Sequence, residues 1–113
     1  MRNDHERLVD MAEAIAQVQK YAARGRATFE QDELIRNWIR SHLQLLGEAA
    51  RALSAEFREQ HPEIPWSDII GMRNILVHRY FGIDNDVVWS AVESRLPELQ
   101  DRISAILREM GGT

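Results

Sequence analysis

The chain predicts an all-α fold, an up-and-down bundle of four to five helices. Two observations carry this. Alternating runs of β-branched residues are absent, while Ala, Leu, Glu, Arg and Gln dominate. Apolar residues instead recur at helical spacing in four segments, and Gly and Pro stand between those segments.

The first segment runs from about Asp4 to Ala23, with Leu8, Ala12, Ile15, Val18 and Ala22 on one stripe. Gly25 lies just beyond it, where a helix stop belongs. The second opens at Thr28, which with Gln31 forms a capping-box pattern. Its stripe is Leu34, Ile35, Trp38, His42, Leu45, Leu46, Ala49, Leu53 and Phe57, and it reaches about Gln60. Gly47 inside it offers a bend. Pro62 and Pro65 end it, because neither fits a helix interior.

The third segment is expected to start at Ser67 as N-cap, with Asp68 in the first turn, and to close at Gly82. The fourth starts at Asp84 or Asp86 and carries Val87, Val88, Trp89, Val92 and Leu96. Pro97 kinks it or restarts it, and Leu99, Ile103, Ile106 and Leu107 continue to about Met110. The terminal Gly-Gly-Thr reads as a frayed end.

With 113 residues the chain has the size of one domain, 1–113. It has no cysteine, hence no disulfide framework and no thiolate metal site. No apolar run of about 18 residues suggests a membrane span. The opening MRNDHERL lacks the apolar core of a signal peptide, so a cytoplasmic chain is expected. The formal net charge of −4 disfavours a broad nucleic-acid-coating surface but leaves room for a local basic site. Lys20 is the one lysine among 14 basic residues; the rest are arginines, whose planar fork suits phosphate or carboxylate.

The third segment holds the polar residues that need explaining. "RNILVHRY", Arg73 to Tyr80, sets Arg, Asn, His and Tyr into the most apolar part of the chain. On a helical wheel Ile69, Met72, Leu76 and Tyr80 share one sector of roughly 80°, the expected core face. Asn74 and His78 lie together on another face, and Arg73 falls between the two. Arg73, Asn74 and His78 are therefore expected to converge on one groove, with Asn74 one turn below His78 and in reach of its ring. Arg79 points away from Arg73 and Asn74. Two readings stand on the residues alone. His78 is a core or interface histidine held by Asn74, and Arg73 pairs with a carboxylate of a neighbouring helix. Or the group is chemical: a histidine moves protons near neutrality, and an arginine holds a phosphate and the charge that develops on it. The second suits metal-independent RNA cleavage, in which the ribose 2′-OH attacks the adjacent phosphorus.

Other residues read as structural. His42 lies on the apolar stripe, and His5 and His61 sit near helix ends as solvated groups. No two histidines stand three or four apart, so no helical metal pair exists. Trp38, Trp66 and Trp89 read as packing anchors. Arg36 and Arg40, one turn apart, are either a solvated face or an extension of a phosphate-binding surface, to which Arg79 also belongs. Asp84, Asn85 and Asp86 form a helix cap, because the other positions of a calcium loop are missing.

"RNILVHRY" resembles the Arg-x4-His-x-Tyr motif of the HEPN superfamily, in its HepT-like branch, also called DUF86. The surrounding "IPWSDIIGMRNILVHRYFGID", with "VVW" and "LPEL" after it, is similar to that branch nearly throughout. The resemblance implies a helical bundle that forms homodimers, with the motifs of both subunits lining one cleft. It implies a ribonuclease acting on RNA, the toxin of a toxin–antitoxin pair. The implied partner is a minimal nucleotidyltransferase (MNT) antitoxin that transfers AMP to the motif tyrosine. Carried over, Arg73 and His78 are the catalytic pair, Asn74 supports them, and Tyr80 is the modification target. No cofactor is implied. A non-catalytic module binding a nucleotide or the partner is the alternative, and a purely structural dimer is a third.

Overall fold

A computed structural model describes residues 3–79 and 82–111. Among the described residues there is no strand. The helices are α1 (Asp4–Ala22), α2 (Arg26–Gln31), α3 (Glu33–Ala52), α4 (Ala55–Gln60), α5 (Trp66–His78), α6 (Asn85–Ser90) and α7 (Leu96–Glu109). A π-helical turn, Ala91–Arg95, joins α6 to α7. No described helix is long and apolar enough to cross a membrane.

α1 and α3 form an antiparallel pair. At one end the Asp4 carboxylate accepts from the Ser54 N–H (2.9 Å) and hydroxyl (2.7 Å). Toward the other, the Trp38 indole N–H donates to the Gln17 carbonyl (2.9 Å). α7 packs on α1, and α5 packs on α3. The core lies between them: Leu8, Met11, Ile15 and Val18 of α1, Ile39, Leu43 and Leu46 of α3, and Ile103 and Ile106 of α7 are buried. Each such side chain stabilises the fold by about 1.5–3 kcal/mol through lost apolar hydration. Phe29 is fully buried with its ring 5.4 Å from that of Trp89, so α2 closes the bundle beside α6.

The long second segment is three helices, not one. Thr28 caps nothing; its hydroxyl donates back to the Arg24 carbonyl (3.2 Å). Asp32 is the cap instead, its carboxylate accepting from the N–H groups of Leu34 (3.0 Å) and Ile35 (3.2 Å). An aspartate in that geometry satisfies orphan donors and starts a new helix. Ser54 does the same for α4 by accepting from the Phe57 N–H (3.1 Å). With the breaks in place the buried face of α3 rotates. Ile39 and Leu43 replace the expected Leu34, which is 81% exposed, and Leu45, which is half-exposed.

α5 begins at Trp66, two residues before the expected start, with Pro65 rather than Ser67 at its N-cap. It ends at His78, short of Gly82, with Arg79 at the C-cap. Tyr80 and Phe81 lie outside the described residues. Asp84 caps α6 by accepting from the Asp86 N–H (2.8 Å), as the Asp-Asn-Asp run suggests. Pro97 falls in the first turn of α7. The π turn before it is the adjustment that a residue without an N–H demands of a helix passing through.

The tryptophans are packing anchors. Trp66 and Trp89 are buried, and the Trp66 indole N–H donates to the carbonyls of His61 (2.9 Å) and Arg58 (3.2 Å). His61 is less solvated than its position suggests: its ring lies 4.6 Å from Phe57 and 3.3 Å from a Glu63 oxygen. His42 is half-buried beside Trp38, its Nδ1 bonded to the Trp38 carbonyl (2.8 Å).

Candidate active site

α5 is apolar on nearly every side, and one chain does not cover all of it. Leu76 is buried, and Ile69, Ile70 and Met72 pack partly buried against the core. Ile75 and Val77, on the remaining sides, are 41% and 37% exposed. A groove of about 660 Å³ runs beside the helix, between it and α6–α7, with Leu43 and Leu46 of α3 in its lining. An ion pair from Asp68 to Arg95 (2.8 Å) links α5 to the π turn, and both residues line that groove.

Arg73 turns inward. The helices α3 and α5 approach so closely at Gly47 that a Cβ there would meet the Arg73 Cβ at 2.3 Å and the Ile69 carbonyl at 3.1 Å. Gly47 therefore serves a close helix contact rather than a bend. The Arg73 stem lies across it, and its side chain is only 16% exposed. One terminal nitrogen, Nη2, is 3.6 Å from Glu48 Oε1; the other, Nη1, donates to Asn74 Oδ1 (3.1 Å). Its Nε is buried without an acceptor among the described residues. Gln44, one turn before Glu48, brings Nε2 within 3.4 Å of the same Glu48 oxygen.

The other motif residues face outward. Asn74 and His78 are exposed. The Asn74 carbonyl oxygen is engaged by Arg73, and the His78 side chain has no hydrogen-bond partner among the described residues. Residues five apart on a helix are rotated by about 140°, so Arg73 and His78 of one chain leave α5 on different sides. His78 is the last helical residue and Arg79, exposed, follows it in the turn, its N–H donating to the Ile75 carbonyl (2.9 Å). Tyr80 comes next in sequence, beyond the described residues.

Arg36 and Arg40 are neither a solvated face nor open cations. Arg36 donates to the carbonyls of Glu30 (2.7 Å) and Phe29 (3.4 Å), closing the end of α2. Arg40 donates to the Asn85 side chain, tying the start of α6 to α3. Sequence reading missed Gly47 and Glu48 as neighbours of the motif arginine. The one signal for them was a glycine in the middle of a strongly amphipathic helix, which marks a close approach as readily as a bend.

A guanidinium is thus anchored beside α3, and an exposed imidazole stands at the end of α5. Comparison with known proteins bears on what they do. A family model described as "Ribonuclease HepT-like" matches residues 11–106. A protein of Thermococcus cleftensis named "Probable ribonuclease HepT" is 32% identical over 108 residues, covering 93% of this chain and 96% of its own length. A protein of Caldanaerobacter subterraneus, provisionally named an RNase, is 41% identical over 76 residues, 67% of each chain. A provisionally named RNase of Methanocaldococcus jannaschii is 36% identical over 78 residues, 69% of this chain and 72% of its own. No solved structure matches significantly.

Proposed function

The chain belongs to the HepT-like family, and on that premise we propose that it is a metal-independent endoribonuclease in which Arg73 and His78 carry the reaction. The observation that supports this best is the state of the two side chains: an arginine anchored against α3 and a histidine left open at the end of α5. The ribose 2′-OH gives up its proton and its oxygen attacks the adjacent phosphorus. The bond to the 5′ oxygen of the next nucleotide breaks, and that oxygen takes a proton. The products are a 2′,3′-cyclic phosphate and a 5′-hydroxyl. His78 serves as the base or the acid in this exchange. Arg73 neutralises the charge that builds on the phosphoryl oxygens, with Asn74 supporting it.

The working form is a homodimer. A helix that is apolar on all sides is normally buried on all sides, and the exposure of Ile75 and Val77 supports a partner on α5. A two-fold axis beside α5 would bring two copies of the motif to one cleft. That answers the divergence of Arg73 and His78 in the single chain. Regulation completes the reading. The protein acts as the toxin of a pair, and an MNT antitoxin silences it by AMP transfer: the Tyr80 oxygen, giving up its proton, attacks the α-phosphorus of ATP, and pyrophosphate leaves. The added phosphate would occupy an RNA phosphate's place among Arg73, Arg79 and the arginines of the second copy.

The test is cleavage of an RNA substrate by the purified chain in excess chelator, with Arg73→Ala beside it. Wild-type cleavage that survives chelation, and a loss of about 100-fold or more in Arg73→Ala, is the expected result. Cleavage that stops on chelation contradicts the mechanism. Incubation with the nucleotidyltransferase and ATP should raise the mass of the wild type by one or more AMP units and leave Tyr80→Phe unmodified and active.

A further inference from the structure

We propose that Glu48 is a positioning residue for Arg73, holding the guanidinium in the orientation that receives the phosphate; the inference rests on the ribonuclease reading above. Three features of the contact between α3 and α5 point to it.

The first is the fixed stem. Gly47 allows the two helices to touch where Arg73 leaves α5, and the Arg73 Cβ and Cγ lie on the glycine backbone. The origin of the side chain is therefore set by α3, not by the motif helix alone. The second is the clamp at the far end. With the stem pinned, the planar head still rotates about its last torsions, and arginine has much rotamer freedom to lose. Glu48 Oε1 lies 3.6 Å from Nη2, an ion-pair distance, and Asn74 Oδ1 accepts from Nη1 at 3.1 Å, so each terminal nitrogen faces an oxygen of its own. Gln44, 3.4 Å from the same Glu48 oxygen, steadies the carboxylate in turn.

The third is the charge. Glu48 is 41% exposed, so its pairing with Arg73 is screened and contributes little to stability. Its effect falls on the site. A carboxylate beside the phosphate-binding guanidinium opposes the approach of an anion while fixing the donor geometry the transition state needs. The two effects have different kinetic signatures: the first raises KM, and the second raises kcat. A carboxylate that merely held two helices together would produce neither.

The experiment is steady-state cleavage of a short RNA by wild type, Glu48→Ala, Glu48→Gln and Arg73→Ala, and by Glu48→Ala combined with Arg73→Ala. Thermal unfolding of each confirms that it folds. Glu48→Ala should lose about 10- to 100-fold in kcat, the scale of a misplaced catalytic group, with KM unchanged or lowered. Glu48→Gln keeps an acceptor oxygen and should recover most of kcat. In the Arg73→Ala background the second substitution should change cleavage by less than about threefold, because its route of action is gone. Where Arg73→Ala leaves no measurable steady-state rate, single-turnover cleavage at high enzyme concentration takes the place of that assay. Unchanged kcat in Glu48→Ala, an equal loss in both backgrounds, or a Glu48→Gln as impaired as Glu48→Ala overturns the inference alone. A wild type without cleavage, or full cleavage by Arg73→Ala, overturns the ribonuclease reading and the inference with it.

Discussion

α3 and α5 lie side by side, and they place their apolar residues in opposite ways. α3 is strongly two-faced: Ile35, Ile39, Leu43, Leu46 and Ala50 are buried, and its exposed side is largely polar. α5 is apolar almost all round, yet only Trp66 and Leu76 are fully enclosed, and Ile75 and Val77 face outward. The first pattern is that of a helix whose needs are met within one chain. The second is that of a helix still lacking a neighbour. The polar residues divide in the same way. Those of α3 tie the fold together, Arg36 to the end of α2 and Arg40 to the start of α6. On α5, Asn74 and His78 are exposed, Asn74 holding Arg73 through its carbonyl oxygen. α3 carries the architecture, and α5 carries the motif.

Substitutions on the two helices should therefore fail differently. Ile39→Ala removes a fully buried side chain from α3. It should lower stability by about 2–5 kcal/mol and the thermal midpoint by about 10 °C or more. Cleavage per folded molecule should stay the same in a kinetic assay below the transition. Gly47→Ala strikes where the two helices meet, and the new methyl must displace Arg73. A cost of about 1–3 kcal/mol is expected in denaturant unfolding, with reduced cleavage below the transition. An equal loss of stability with full activity would show that the Arg73 position does not matter. Ile75→Asp puts a charge on the open side of α5. It should leave the folded monomer intact and shift light scattering toward the mass of a single chain; a retained dimer would place the interface elsewhere. Leu34→Ala should move stability by no more than about 0.5 kcal/mol, since that side chain is in water.

Leu34 also shows where the sequence stopped being legible. The long helices and the motif stood out, because a 3.6-residue period and a compact cluster of polar residues are local signals. The breaks at Asp32 and Ser54 did not, since periodicity continues through them and only capping geometry reveals that the helix has restarted. Once the restart is missed, the stripe is drawn through Leu34 and Leu45 instead of Ile39 and Leu43. The same limit applies to the site. A wheel drawn for α5 orders Arg73, Asn74 and His78 around one axis but holds no information about what lies beside it. That Gly47 and Glu48 hold the arginine depends on the pairing of two separate helices, which a wheel of one helix cannot show.

The division between the two helices meets its most direct test at His78. Thermal midpoint and RNA cleavage should be measured on one preparation each of wild type and His78→Ala. The side chain is exposed and has no partner among the described residues, so the midpoint should move by about 2 °C or less. Cleavage should fall by about 10²–10⁴-fold, as loss of a general acid or base requires. Undiminished cleavage by His78→Ala would contradict the account, and so would a loss of activity that only follows a loss of folded protein.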